Sequence, residues 1–283
     1  MKLSIGITDF SWSGGLVDEL ARVAVAAEEA GLDTVWVADH LLQADPHSTP
    51  DSAMLEAYTT LGFLAARTSR IGLGTMVSAV TFRPPALLIK AVTTLDVLSG
   101  GRALFGIGTG HHDGEARAMG LPFPPVGERF ERMEEAIRLA LRMWAGDESE
   151  FAGEHYHLER PVSVPRPVRR PPLLIGGAGE RKTLRLVAQY ADACNVFDIP
   201  DVGKTVRHKL AVLARHCEEV GRPYSEIEKT ISTRLEPGES AADFARRCAE
   251  FAEWGIGHAV VIVAGPWSVA GVRTLGEAGA LVR

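Results

Sequence analysis

The chain has 283 residues, 46% of them apolar and 23% charged, with a formal net charge of −6. That is ordinary globular composition, with enough apolar material to build a sizeable core. The acidic balance argues against nucleic-acid partners, because binding a phosphate backbone needs clustered Lys and Arg, yet a local basic patch remains compatible with one small anion.

Lys2 through Thr8 alternates apolar and polar residues and reads as a strand, not a signal peptide. Leu16, Leu20, Val23, Ala27 and Ala30 then recur at spacings of four and three, which puts them on one helix face. Gly31 supplies the left-handed residue that ends such a helix. Thr34–Ala38 is a short run of strand formers. Further strands are predicted to begin near Ile71, Ala103, Leu173, Asp192, Ile227 and His258. Helical patterns separate them at about residues 53–68, 84–99, 128–145, 180–190, 203–220, 240–254 and 267–280. Eight buried strands alternating with amphipathic helices predict an α/β fold, a (β/α)8 TIM barrel of one domain over residues 1–283. A doubly wound open sheet is the alternative.

Residues 146–172 break the rhythm. Phe151–Tyr156 and a proline-rich stretch from Pro161 to Pro172 read as an insertion after the fourth helix, with His155 and His157 on the surface of a hairpin. In the helix before it, Phe130, Met133, Ile137, Leu141 and Trp144 form the core face, and Glu131, Glu134 and Glu135 fall on the solvated side. Cys194, Cys217 and Cys248 are odd in number, widely spaced and without a Cys-x-x-Cys pair, so they read as reduced thiols of a cytoplasmic protein. No stretch approaches the roughly 20 apolar residues that span a bilayer, so no membrane partner is expected.

In such a barrel, functional residues gather at the C-terminal strand ends. The second strand ends in Asp39-His40, an imidazole that exchanges protons near neutral pH beside a carboxylate. The third, Ile71–Val77, holds Gly72 and Gly74, which mark a bulge, a close ligand or tight packing against a helix. The fourth gives Gly106-Ile-Gly-Thr-Gly-His-His-Asp113, small residues against which a flat ligand fits, followed by Thr109, Gly110, His111 and His112. Neighbouring histidines on an extended segment diverge, so no metal is expected there. At the fifth, Gly176-Gly-Ala-Gly-Glu-Arg-Lys182 leads into a helix, where free N–H groups and the helix dipole suit an anion such as a phosphate.

Thr34–His40, Ile71–Val77, Gly106–His112, Ile175–Arg185 and Tyr190–Asn195, in this order, resemble the luciferase-like monooxygenase superfamily, in particular its coenzyme F420-dependent oxidoreductases. The resemblance implies hydride transfer between the C5 of a deazaflavin and a small organic substrate. His40 would be the catalytic proton donor. It implies a non-proline cis peptide at Met76-Val77. Cofactor contacts would fall at Asp39, His40, Thr75, Met76, Val77, Thr109, Gly110, His111, His112, Gly176, Gly177, Ala178, Gly179, Glu180 and Arg181, with the phosphate at Gly177–Arg181. It further implies a homodimer. Sugar-phosphate dehydrogenases of that branch carry a Glu where His111 stands and a Trp shortly after Asp-His, where this chain reads Leu41-Leu-Gln-Ala44; glucose 6-phosphate is therefore not the expected substrate. FMN is the alternative cofactor, with oxygen chemistry. A low-activity carrier of either cofactor is the reading from another functional class.

Overall fold

Strand segments too apolar to face water on either side must be covered on both, and the chain meets that demand by closing its sheet. The computed structural model describes residues 1–44, 48–49 and 51–282. In chain order it builds β1 (Lys2–Ile7), α1 (Leu16–Glu29), β2 (Thr34–Val37), α2 (Ala57–Arg67), β3 (Gly72–Thr75), β4 (Ser78–Ala79) and α3 (Pro85–Ser99). β5 (Ala103–Gly108), α4 (Asp113–Ala118), α5 (Val126–Ala145), β6 (Phe151–Ala152) and β7 (His157–Leu158) follow. The last third holds β8 (Leu173–Gly176), α6 (Thr183–Tyr190), β9 (Ala193–Phe197), α7 (Lys204–Val220), β10 (Glu228–Arg234), α8 (Ala241–Glu253), β11 (His258–Ile262) and α9 (Val269–Leu281).

The parallel ladder runs β3-β2-β1-β11-β10-β9-β8-β5, and Leu73 and Gly74 of β3 pair with Ala103 and Leu104 of β5, so the ring closes. It is the predicted (β/α)8 barrel and not the open sheet. Trp36, Leu174, Ala193 and Val260 fill the barrel's interior, while the helices pack Leu and Val side chains against its outside. Gly31 stands at φ 71, and the N–H of Leu32 returns to the carbonyl of Ala27, the left-handed stop that the sequence predicts. Gly74 is needed for packing: a Cβ there would lie 2.8 Å from Cζ3 of Trp36 and 3.0 Å from Leu104. Its close neighbours belong to adjacent strands and not to a helix.

The third strand does not run straight through to Val77. It stops at Thr75, passes a cis peptide between Met76 and Val77, and resumes as β4, which pairs with β5. The insertion contains the hairpin β6–β7. Glu135 is buried, not solvated: its carboxylate accepts the N–H groups of Glu154, His155 and Tyr156 and so fastens the hairpin to α5. His155 also turns inward, with only 12% of its side chain exposed, and meets Glu131, whereas His157 is 58% exposed. Of the predicted core face of α5, Met133, Ile137 and Trp144 are buried, and Phe130 and Leu141 are half-buried. The proline-rich stretch is tied to α3, where Asp96 accepts the N–H of Val168 at 2.7 Å.

At the N-terminal end of the barrel, Ser4 Oγ and His258 Nε2 lie 2.6 Å apart, and Nδ1 of the same ring is 3.5 Å from Glu228. Ser4 and His258 are buried within the wall, so the trio braces β1, β11 and β10 at the end where barrel residues serve stability. No described helix is long and apolar enough to cross a membrane, and Cys194, Cys217 and Cys248 are free and buried.

Candidate active site

At the C-terminal ends of the strands lies a cavity of about 1030 Å³, lined from Gly6 of β1 to Ile262 of β11, with Met76, Val77 and Ala79 standing beyond the end of β3. Asp39, His40, Met76, Val77, Thr109, Gly110, His111, His112, Gly176 and Gly177 line it. Thr75, Ala178, Gly179, Glu180 and Arg181 do not: Thr75 is buried behind the wall, and the last four continue outward from the edge at Gly177.

His40 sits just beyond β2 with its Nδ1 donating to Oε2 of Glu115 at 2.7 Å. The other oxygen of Glu115 accepts the N–H groups of Leu41 and Leu42. Burial pushes the Glu115 carboxyl toward a higher pKa; the bonds from His40, Leu42 and Leu41 outweigh that and hold it below its ordinary value. An ionised partner on Nδ1 fixes the tautomer and leaves Nε2 as the ring nitrogen free for chemistry. Asp39 takes no part in this. Both its oxygens are held by Arg83, at 2.7 and 2.9 Å, and Arg83 also reaches Glu56 and lies 5.0 Å from the Tyr58 ring centre. The neighbouring carboxylate is thus engaged by Arg83, and the one that orients His40 comes from α4.

Glu115 has no sequence motif of its own, and α4 is too short to declare itself by periodicity. Its signal was three-residue spacing: the ring Nδ1 of His112 accepts the N–H of Glu115 and caps α4, which brings the Glu115 side chain back under the His-His pair. Contrary to the divergence expected of an extended segment, His111 and His112 converge. Gly110 stands at φ 76 and turns the chain, so that the ring of His40 lies 5.6 Å from that of His111 and 6.3 Å from that of His112. Desolvation, with His40 and His112 nearby, lowers the pKa of His111.

The glycines of β5 and β8 serve the bend in the third strand. A Cβ at Gly106 would fall 1.9 Å from the carbonyl oxygen of Thr75, and one at Gly108 or Gly176 would reach a methyl of Val77 at 2.8 or 2.9 Å. Hydroxyls secure the same region: Tyr58, Ser78 and Thr75 follow at 3.0 Å each, and Thr75 donates to the carbonyl of Gly106 at 3.1 Å. Burial holds Tyr58 protonated, as a donor must be. Arg129 closes another wall. It donates to the carbonyls of Thr109 and Gly110 and stacks 4.0 Å from the Phe123 ring centre.

Beyond β8, Gly177 stands at φ 96 and the chain enters α6 through a turn closed by the N–H of Leu184 on the carbonyl of Gly179. None of the described hydrogen bonds uses the N–H groups of Ala178, Gly179, Glu180 or Arg181, so this junction keeps the unclaimed donors an anion needs. The Glu180 carboxylate is drawn away to Lys209 and His208, which removes a negative charge from the turn's mouth.

The family model for luciferase-like monooxygenases matches residues 6–274. The chain is 36% identical over 229 residues to an F420-dependent glucose-6-phosphate dehydrogenase of Kineococcus radiotolerans, covering 79% of this chain and 65% of that one. It is 37% identical over 218 residues to the enzyme of the same name from Nakamurella multipartita, covering 77% and 63%. The chain thus spans just under two thirds of the length of these relatives. Among solved structures, an F420-dependent secondary alcohol dehydrogenase in complex with an F420-acetone adduct superimposes with a TM-score of 0.86 at 18% identity, covering 100% of this chain and 99% of that one. The coenzyme F420-dependent tetrahydromethanopterin reductase of Methanopyrus kandleri gives 0.82 at 18% identity with the same coverage; at such identity the likeness is one of fold. With its matched residues running from the first strand into the last helix, the chain belongs to the luciferase-like monooxygenase family.

Proposed function

We propose that this chain is a coenzyme F420-dependent oxidoreductase that passes a hydride between the deazaflavin C5 and a small organic substrate. The observation that carries the reading is the run of unclaimed amides at Ala178–Arg181, set at the edge of a cavity that His40 also lines. The names of the curated relatives support a deazaflavin over FMN. Met76, Val77, Thr109, Gly110, His111 and His112 would hold the ring, and Gly176 to Arg181 the phosphate; Asp39 stands on the wall with its carboxylate held by Arg83, and Thr75 braces the wall from behind. A deazaflavin bound there supplies a two-electron hydride donor or acceptor.

His40 moves the proton. Its Nδ1 is committed to Glu115, so Nε2 is the atom that exchanges a proton with the substrate oxygen. The lowered pKa of His111 beside it disfavours a second positive charge next to His40.

The reading extends to a homodimer in the cytoplasm. Leu98, Val164 and Val168, at 70%, 67% and 63% exposure, lie on α3 and the stretch bonded to it, as interface residues do. Three free thiols suit a reducing compartment. Light scattering at twice 30.4 kDa supports the dimer, and the single mass contradicts it.

Fluorescence titration with F420 and with FMN tests the cofactor. Saturable F420 binding, with FMN at least about tenfold weaker (about 1.4 kcal/mol), is the expected result. Preferential FMN binding coupled to substrate-dependent oxygen uptake contradicts it.

A further inference from the structure

Resting on that reading, we infer that the substrate is an uncharged alcohol or carbonyl compound with an apolar body, and not a phosphate ester. The charged side chains on the cavity wall are Asp39, Glu115, Asp198 and Glu236 against Arg234 and Arg247, and no lysine stands among them. Carboxylates outnumber guanidiniums on this surface.

Arg247, at the β9–β10 side, is the group best placed to greet an anion, and both of its terminal nitrogens are already used. Nη1 donates to the carbonyl of Arg234 and to both oxygens of Glu239, at 3.0, 3.0 and 2.9 Å. Nη2 donates to the hydroxyl of Thr233 at 2.6 Å and to Asp198 at 3.1 Å. Two carboxylates on one guanidinium leave the cluster net negative, and a dianionic phosphate would have to displace one of them. Arg234 has an interaction of its own and is not a spare cation. Asp39 is likewise matched by Arg83, which Glu56 shares.

The rest of the wall suits an apolar body. Phe82, Phe123, Phe197, Val260 and Ile262 line it, and the neutral amide of Asn195 is held between Ser232 and Thr230. Trp36, 1% exposed in the barrel's interior, also lines the cavity, and its Nε1 donor has no partner. A lone buried N–H is costly unless a ligand or water accepts it. This neutral donor matches one hydroxyl or carbonyl oxygen; the other buried nitrogen of the wall that makes no hydrogen bond, Nη1 of Arg234, belongs to a guanidinium already engaged elsewhere, and together they fall short of the several charge-assisted bonds that a phosphate requires.

The test compares cyclohexanol, cyclohexanone and glucose 6-phosphate. Binding is measured by calorimetry on the protein with and without F420, and turnover is measured with F420 bound. The expected result is binding of the neutral pair, a kcat/KM for cyclohexanol at least about tenfold above that for glucose 6-phosphate, and no competition by inorganic phosphate. Asp198→Asn, which removes one of the negative charges held against Arg247, is expected to narrow that preference at least about threefold. Tighter binding or faster turnover of glucose 6-phosphate overturns the inference while leaving the cofactor assignment standing, as does a holoenzyme that binds F420 but neither neutral compound. Failure of F420 to bind overturns the cofactor assignment instead, and binding of the neutral pair to the protein alone, measured by calorimetry, still tests the substrate inference.

Discussion

The Nδ1 of His40 lies 2.7 Å from Oε2 of Glu115, which stands 75 residues further along the chain. One carboxylate therefore sets both the tautomer of the imidazole and, through the amides of Leu41 and Leu42, the course of the backbone that carries it. Glu115→Gln preserves the size of the side chain and an amide oxygen but removes the charge opposite the imidazole. We expect kcat to fall at least about tenfold, since groups that orient a proton-transferring histidine commonly contribute that much or more. The dissociation constant for F420 should change less than about threefold. Steady-state kinetics beside a fluorescence titration separates the two, and an unchanged kcat would remove Glu115 from the mechanism.

His111 titrates below a free histidine because of desolvation, with the neighbouring His40 and His112 adding to the effect. Its folded pKa is depressed, so the unfolded chain takes up the proton first as pH falls. This site therefore costs stability on the acid side of the ordinary histidine value. The NMR midpoint of His111 is expected to rise toward that value in a His40→Asn variant, and a midpoint that stays put would show that the two rings do not communicate.

Much of this arrangement was legible in the sequence, and what escaped shares a cause. The eight strands, the left-handed stop at Gly31 and the interruption at 146–172 follow from periodicity and from residues with restricted backbones, which are local signals. The bend at Met76-Val77 was expected from family resemblance, and the glycines at 106, 108 and 176 turn out to be its packing partners. Pairings across the fold were not legible. Nothing near Asp39 announces that Arg83 takes its carboxylate, and nothing near Glu135 announces that the hairpin amides bury it. Such partners are set by which loops meet at a barrel's rim, and hydrophobic pattern does not record that.

Arg83 neutralises Asp39, whose side chain is fully buried, and meets Glu56 as well. Arg83→Met leaves the Asp39 carboxylate without a counter-charge. Unfolding in urea should show a loss of about 3–5 kcal/mol, and a loss below about 1 kcal/mol would mean that Asp39 is stabilised in some other way.

Gly106 and Gly127 give opposite expectations for the same added methyl. A Cβ at Gly106 meets the Thr75 carbonyl oxygen at 1.9 Å, whereas one at Gly127, in α5, meets nothing within 4 Å. Gly106→Ala should lower stability by at least about 3 kcal/mol or prevent folding. Gly127→Ala should be neutral or raise stability by up to about 1 kcal/mol. Equal thermal midpoints for the two variants would contradict the packing of β5 on the strand bend.

Glu228 offers a pH test of the barrel's other end. The imidazole of His258, 3.5 Å away, comes first among the causes and outweighs burial, and with Lys2 it lowers the Glu228 pKa from 4.5 to about 2. A depressed carboxylate stabilises the fold above its unfolded value and loses that contribution as pH falls through the folded one. Urea midpoints of the native chain should therefore drop between pH 4.5 and 2 more steeply than those of Glu228→Gln. Parallel slopes would assign the acid sensitivity elsewhere.

Cofactor binding as proposed rests on an anion held by the amides between Gly177 and Thr183. Its most direct test compares the affinity of F420 with that of the same deazaflavin lacking its phosphate, in the native chain and in Gly179→Pro, which deletes one of those N–H groups. The predicted result is binding of F420 at least about tenfold tighter than its phosphate-free parent (about 1.4 kcal/mol), with much of that advantage lost in the variant. Equal affinities of the two ligands for the native chain would contradict it.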